Sequence, residues 1–329
     1  MGSRRIRLAA GLAVVVVAAA ATLAGVSQAQ QGAPAAPANA VLGGPAQGDP
    51  ALDHFVCYHV TQSSQQPSPG TVKLIDQWSN TAPGPGGGPL PIQVTLGLPV
   101  KFCAPITKYH VVNGALFVYP VTHPTLHLTC YKIAEKGTAA NPVTSPKTFT
   151  SDNQFNPAGS PRTLSTVTLS ATSKQTVTSL CLPSWKSLAP PPTLPAGEPL
   201  DVLDHFKCYK AAETEPTGVT IPGLPAQVFW QDQFADPAAG LPQATVLKPT
   251  EFCNPTEKLV TTTQGTTVTP INHPTYHLTC FSIRTTATLN RPVWVQNQFV
   301  SPAVGPQQLT LGNPYQLCAP SFKVYPITG

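Results

Sequence analysis

Histidine is the residue type in this sequence whose spacing comes nearest to a reactive or metal-binding arrangement. His123 and His127 are four residues apart, as are His273 and His277. On a helix that interval would bring two imidazoles onto one face, a common zinc geometry. Pro124 and Pro274 fall inside the intervals, and the second His of each pair opens a strand-like run, so the helical argument fails. His123, His127, His273 and His277 remain the candidate ligands for a surface Zn, Cu or Ni site. The competing reading is structural. His54, His127, His205 and His277 each stand three residues before a Cys in four similar segments. On a strand this puts them opposite the Cys face, beside Tyr58, Tyr131, Tyr209 and Phe281. A side chain required at four equivalent places is expected to pack or hydrogen-bond rather than to form one active site.

The acids give a similar answer. Asp76-Gln77-Trp78, Asn153-Gln154-Phe155, Asp232-Gln233-Phe234 and Asn297-Gln298-Phe299 repeat one motif with acid and amide alternating. A catalytic carboxylate cannot become an amide, whereas an acceptor for backbone N–H groups at a turn tolerates either. No Gly-x-Ser-x-Gly, His-Glu-x-x-His or phosphate-cradling loop is present, so no catalytic residue and no cofactor is assigned. The cluster Pro83-Gly84-Pro85-Gly86-Gly87-Gly88-Pro89 opens no helix and reads as a lengthened loop.

These residues sit in a frame set by internal repetition. Leu52-Asp53-His54-Phe55-Val56-Cys57-Tyr58 recurs as Leu203-Asp204-His205-Phe206-Lys207-Cys208-Tyr209, an offset of about 150 residues. His123-Pro124-Thr125-Leu126-His127 recurs as His273-Pro274-Thr275-Tyr276-His277, and Phe102-Cys103-Ala104-Pro105 as Phe252-Cys253-Asn254-Pro255. Each half is itself doubled, because His-x-x-Cys opens a unit at His54, His127, His205 and His277. Each unit closes on a second Cys, a Pro and a trailing Lys: Cys103 and Lys108, Cys181 and Lys186, Cys253 and Lys258, Cys318 and Lys323. Tyr109 and His110 depart from the repeat, since the second half has Leu259 and Val260 there.

Between landmarks the sequence alternates with a period of two, as in Val72, Leu74, Asp76 and Trp78 or Val228, Trp230, Asp232 and Phe234. With many β-branched and aromatic residues, that pattern predicts half-buried strands. The expected fold is all-β: two tandem disulfide-stapled β-sandwich or barrel-like domains, each an internal duplication. The first domain covers 51–187, with units 52–109 and 122–187. The second covers 200–329, with units 203–259 and 272–324. A Pro-rich linker, 188–199, divides them.

The eight Cys point to disulfides. One early and one late Cys per unit gives Cys57–Cys103, Cys130–Cys181, Cys208–Cys253 and Cys280–Cys318. The alternative crosses the two units of a domain, and economy alone favours the first scheme. Each loop of roughly 40–50 residues would contribute on the order of 4 kcal/mol by restricting the unfolded chain.

Residues 1–29 carry Arg4, Arg5 and Arg7, then an apolar run to about Val26, then Ser27-Gln28-Ala29. This is the three-part pattern of a secretory signal peptide, with an uncleaved anchor as the competing reading. Residues 30–50 read as an Ala/Pro/Gly-rich disordered spacer. Charged residues make up only 10% of the chain, against 39 Pro and 24 Gly. The formal charge of +5 owes much to the three leading arginines. The rest shows no basic stripe, which argues against nucleic-acid partners, and no run after the signal is long enough to span a membrane.

Taken together, His-Phe-x-Cys-Tyr, Asp-Gln-Phe and Leu-Cys-x-Pro with a trailing Lys resemble an uncharacterised repeat family of exported bacterial proteins. The resemblance covers about residues 52–324. Departures are His59 where a Lys usually follows the Tyr, Phe281 in place of that Tyr, and Trp78 in place of the Phe. The family resemblance implies architecture and export, and carries over no functional residue.

The leading functional expectation is therefore an exported, non-enzymatic binding or structural module of the extracellular space or cell envelope. Its partner would be an unknown extracellular or envelope ligand, a polysaccharide or a protein, held with avidity by two similar domains. Exposed aromatics on one face would favour it. The alternatives are a metal-binding protein using the repeated His, and a secreted hydrolase with a site between units.

Overall fold

The computed structural model describes residues 41–42, 51–65, 67, 69–79, 89–139, 141–156, 160–169, 175–189, 194–195, 198–199, 203–214, 223–301 and 303–324. The expected signal peptide, most of the spacer, most of the Pro/Gly cluster at 83–89 and parts of the linker lie outside the described residues. Strands dominate. β1 is Val41–Leu42. The first unit supplies β2 (His54–Ser63), β3 (Thr71–Asp76), β4 (Ile92–Val112) and β5 (Ala115–Tyr119). The second supplies β6 (His127–Lys136), β7 (Thr148–Asp152), β8 (Arg162–Thr166) and β9 (Val177–Ser187). The third supplies β10 (Phe206–Glu213), β11 (Ala226–Gln231), β12 (Gln243–Thr262) and β13 (Gly265–Thr269). The fourth supplies β14 (His277–Thr285), β15 (Arg291–Gln296) and β16 (Gln307–Val324).

Eight strands close on themselves. Hydrogen-bonded neighbours run β2, β4, β6, β9, β10, β12, β14, β16 and back to β2, every pair antiparallel. Each unit contributes its early and its late strand to this ring, and closure removes the exposed edges that isolated hairpins would leave. Within each unit the two Cys stand directly opposite: Cys57 and Cys103, Cys130 and Cys181, Cys208 and Cys253, Cys280 and Cys318. All four opposed pairs are disulfide-bonded.

An eight-stranded barrel is just wide enough to be filled by side chains, and here sulfur fills it. The pleat turns all eight Cys inward. Cys57 Sγ lies 3.7 Å from Cys318 Sγ, and Cys181 Sγ 3.7 Å from Cys208 Sγ, so adjacent disulfides touch. Two residues along each strand the same face carries the next layer, pairing Phe55 with Pro105, Leu128 with Pro183, Phe206 with Pro255 and Leu278 with Pro320. Leu52, Leu126, Leu203 and Tyr276 are buried in the same cluster and close that end.

The remaining strands buttress the barrel and lock opposite units together. β3 pairs with its own unit's β4 and with β12 of the third unit, while β11 pairs with β12 and with β4 of the first. β15 joins β16 to β9, and β7 joins β8 to β16. The entry into β3 shows how close this approach is. Gly70 has φ +86°, and a Cβ there would lie 2.4 Å from the Thr261 carbonyl oxygen. Two cores flank the barrel, one around Trp230, Phe155, Phe281 and Val295, the other around Trp78, Phe149, Tyr209 and Phe252. Each fully buried Phe contributes roughly 2–3 kcal/mol of apolar transfer.

The boundary at 188–199 does not separate two domains. Strands of the two halves are hydrogen-bonded at β2–β16, β3–β12, β4–β11, β9–β10 and β9–β15, and Ala36–Gly329 forms one compact unit. The physical reason is that a barrel needs eight strands, and each half supplies only four. Disulfides engaging all eight Cys suit an oxidising, extracellular-type environment. Among the described residues no helix is long and apolar enough to cross a membrane.

Candidate functional site

The repeated motifs meet between units. Asp76, Asn153, Asp232 and Asn297 each accept a hydrogen bond from the backbone N–H two residues on, at 3.2, 3.0, 2.8 and 3.0 Å. This Asx turn aims the following aromatic ring at the trailing Lys of the preceding unit, taken cyclically. Lys108 Nζ sits 4.8 Å from the Phe155 ring centroid, Lys186 5.1 Å from Phe234, Lys258 4.9 Å from Phe299 and Lys323 4.9 Å from Trp78. The His of the Lys-bearing unit joins each cluster. Burial, then the adjacent Lys, lowers the pKa of His54, His127, His205 and His277, to about 3 for His277. These histidines are therefore neutral packing elements beneath the outer strands.

The tyrosine after each early Cys reaches two units away. Tyr58 donates to Asp232, Tyr209 to Asp76 at 2.8 Å and Tyr131 to Asn297 at 3.3 Å. In the fourth unit Phe281 has no hydroxyl, and Asn153 Nδ2 is buried without a hydrogen-bond partner among the described residues.

One cluster departs from the rest. Glu198 enters from the linker and places Oε2 2.7 Å from His205 Nε2 and Oε1 3.3 Å from Lys258 Nζ, which is itself 2.7 Å from that nitrogen. Nε2 can donate to the carboxylate or accept from the ammonium, not both at once. Burial would raise the Glu198 carboxyl, but His205, Lys258 and the hydrogen bonds from His205 and the Gln298 N–H hold it at about 2. Burial lowers Lys258 to about 8. Side chains of Glu198, His205 and Lys258 are at most 1% exposed, so the triad is sealed from substrate.

The candidate metal ligands are dispersed over two settings. His123 precedes β6, with Nδ1 2.9 Å from Thr122 Oγ1 and 3.4 Å from Asp53 Oδ2. His127 opens β6, buried, with Nδ1 donating to Thr125 O at 2.9 Å. His273 stacks on Tyr276 at 4.4 Å and His277 on Phe252 at 5.5 Å. Asp53 and Asp204 organise these loops by accepting backbone N–H bonds from Thr122 and His123, and from Asn272 and His273. Among the described residues no group of three or more His, Cys, Asp or Glu converges on a common point. His110, the departure noted in the sequence, packs its ring on Phe155 at 5.3 Å, and burial lowers its pKa to about 3.

The open end of the barrel is where the four units differ. Just outside the cysteine layer the inward-facing pairs are His59 with Lys101, Lys132 with Ser179, Lys210 with Glu251, and Ser282 with Gln316. Four identical Cys–Cys pairs thus lie directly beneath four different polar pairs. Lys101 and Glu251, from opposite units, form an ion pair across the mouth. Gln316 joins them, accepting from Lys101 Nζ at 3.4 Å and donating to Glu251 Oε2 at 2.9 Å and Thr250 Oγ1 at 3.0 Å. Burial alone would raise the Glu251 carboxyl, yet Lys101 and hydrogen bonds from Lys101, Thr178 and Gln316 hold it below the ordinary carboxylate range.

Beside this network lies a cavity of about 260 Å³, lined by Thr178, Lys210, Thr250, Glu251, Ser282, Tyr315 and Gln316. The exposed His59 ring stacks on Tyr315 at 3.7 Å and 10°. Thr250 and Ser282 already donate to Cys280 O and Lys248 O, and Gln316 and Glu251 are held in the ion-pair network, so the surface that the cavity exposes is mostly side-chain carbon with Tyr315 as its aromatic wall. The sequence reading passed over Lys101, Glu251, Tyr315 and Gln316. For Lys101, Glu251 and Gln316 the signal was available as the position two before the late Cys, which reads Lys, Ser, Glu and Gln across the four units. Comparisons with protein-family models, curated proteins and solved structures find no match to this chain.

Proposed function

We propose that this chain is an exported, non-enzymatic binding module of the extracellular space or cell envelope, whose barrel mouth receives a saccharide unit of its ligand. The observation that carries the reading is the divergence of the four inward-facing pairs at the mouth, directly above a cysteine layer that is the same in all four units. A purely structural end would repeat, as the opposite end largely does. The mixture at the mouth suits a saccharide. The sugar's C–H face would lie on Tyr315 and the apolar wall beside it, and its hydroxyls would donate to the remaining lone pairs of Thr250 and Ser282, whose own protons go to Cys280 O and Lys248 O. Because the ring has one open end, binding is to a single site rather than to two domains in avidity.

The test is calorimetric titration of the oxidised protein with neutral, acidic and amino oligosaccharides. Saturable binding to one class, weakened at least tenfold by Tyr315→Ala and Gln316→Leu with unfolding midpoints retained, supports the reading. Absence of binding across the panel, or binding unaffected by both substitutions, overturns it.

A further inference from the structure

The residues of the barrel mouth differ in charge as well as in identity. Two positions beyond the early Cys the four units carry His59, Lys132, Lys210 and Ser282. Two positions before the late Cys they carry Lys101, Ser179, Glu251 and Gln316. Lys248 joins them at the rim, where its carbonyl accepts from Ser282 Oγ at 3.3 Å. Glu251 is the one acid among them, and its carboxylate is already taken by Lys101 and Gln316. Lys132, Lys210 and Lys248 are exposed, and none of them makes an ion pair among the described residues. With Lys101 neutralised by Glu251, the mouth therefore keeps an uncompensated positive charge.

That charge is confined to one arc of the ring. Lys132 on β6, Lys210 on β10 and Lys248 on β12 follow one another, with β9 between the first two. Ser282 on β14, Tyr315 and Gln316 on β16 and His59 on β2 occupy the next arc and are uncharged or aromatic. The cavity is lined from both, by Lys210 and by Tyr315. Resting on the saccharide reading above, we propose that the mouth selects an acidic saccharide, its ring on Tyr315 and its anionic group on Lys210. An amino sugar would bring its ammonium up to three others, while the carboxylate that could receive it is occupied. A neutral sugar gains nothing from the lysines. A carboxylate or sulfate on the ring gains a charge-assisted hydrogen bond from Lys210. The strands of Lys132 and Lys210 are two steps apart, roughly 10 Å, which is about one Debye length, so Lys132 adds attraction and an oligomer with more than one anion engages both.

The anion has two chemical sources, and the test separates them. Calorimetric titration compares a tetragalacturonate with its full methyl ester, which keeps the rings and removes the charge. A sulfated tetrasaccharide is compared in the same way with its desulfated form. The expected result is at least tenfold tighter binding of one charged probe than of its uncharged counterpart at low ionic strength, a gap that narrows in high salt. Lys210→Met, with its unfolding midpoint retained, should close that gap, and Lys132→Met, on a different strand, should narrow it. A gap for the galacturonate assigns a carboxylate, and a gap for the sulfated probe assigns a sulfate. Equal binding of charged and uncharged probes, tighter binding of the uncharged ones, or a gap unchanged in both lysine variants overturns the proposal and leaves the saccharide reading in place. Failure of all four probes to bind also overturns it, and the wider panel of neutral, acidic and amino oligosaccharides then decides the saccharide reading separately.

Discussion

Phe281→Tyr should stabilise this protein, because the fold has already built the place for the missing hydroxyl. The rings after the early Cys pack alike in all four units. Tyr58 meets Phe234 at 5.1 Å and 75°, Tyr131 meets Phe299 at 5.3 Å and 72°, Tyr209 meets Trp78 at 4.6 Å and 68°, and Phe281 meets Phe155 at 5.0 Å and 71°. Asn297 Nδ2 donates to Tyr131 Oη at 3.1 Å, whereas the equivalent Asn153 Nδ2 has no acceptor among the described residues. A new hydroxyl at position 281 supplies that acceptor. A net hydrogen bond is worth about 1 kcal/mol, and relieving a buried orphan adds a similar amount, giving about 1–2 kcal/mol in all. For a chain of this size that is a rise of roughly 2–4 °C in Tm. Equilibrium unfolding in guanidinium should show a higher midpoint at unchanged slope. Tyr131→Phe should lose about 1–2 kcal/mol in the same assay. A double-mutant cycle with Asn153→Leu isolates the pair. A destabilised Phe281→Tyr at unchanged slope, or zero coupling in the cycle, would refute the reasoning.

The remaining predictions concern charge and the sulfur layer. Burial lowers the pKa of Lys108, Lys186, Lys258 and Lys323, to about 7 for Lys186 and Lys323 and about 8 for Lys258. Unfolded lysines keep their protons to about 10.4, so between these values the unfolded chain binds more protons and stability rises with pH. Burial raises Tyr58, Tyr131, Tyr209 and Tyr315, so above about pH 10 unfolded tyrosines ionise first and stability falls again. Unfolding midpoints at neutral, mildly alkaline and strongly alkaline pH should trace that maximum, and a steady decline from neutrality would contradict it. On the acid side, the lowered histidines and Glu198 make stability fall below about pH 6.5, measurable in the same series. Lys101→Met alone should cost about 3–5 kcal/mol by stranding Glu251, while Lys101→Met with Glu251→Leu should be near neutral in chemical unfolding. Replacing Cys130 and Cys181 by Ala should cost about 2–5 kcal/mol through lost cross-linking, seen as a lower thermal midpoint.

Much of the local structure was legible in the residues. The period-two runs named β3, β11 and β15, since alternation follows directly from the pleat. The Asp/Asn alternation identified a backbone-capping turn, because only an oxygen acceptor is common to both side chains. The His positions read as packing elements for the same reason that they recur. The mouth was harder to see, since Lys101, Glu251 and Gln316 belong to no motif and become neighbours only when strands from three units stand around one axis.

The sequence by itself determined the repeated unit, its strands, its early and late Cys and the face each side chain occupies. Those features depend on residues close in the chain and on the two-residue period of a strand. Tertiary structure alone decided which equivalent strand pairs with which. An early strand can pair with the late strand of its own unit, of the preceding unit or of neither, and alternation is identical in every case. Here it pairs with both, so four units close into one barrel instead of two domains. The outer strands cross to the opposite unit because that is where the unpaired stretch of a long strand lies. Four copies of one motif therefore end in four different chemical settings, set by ring closure and not by the motif.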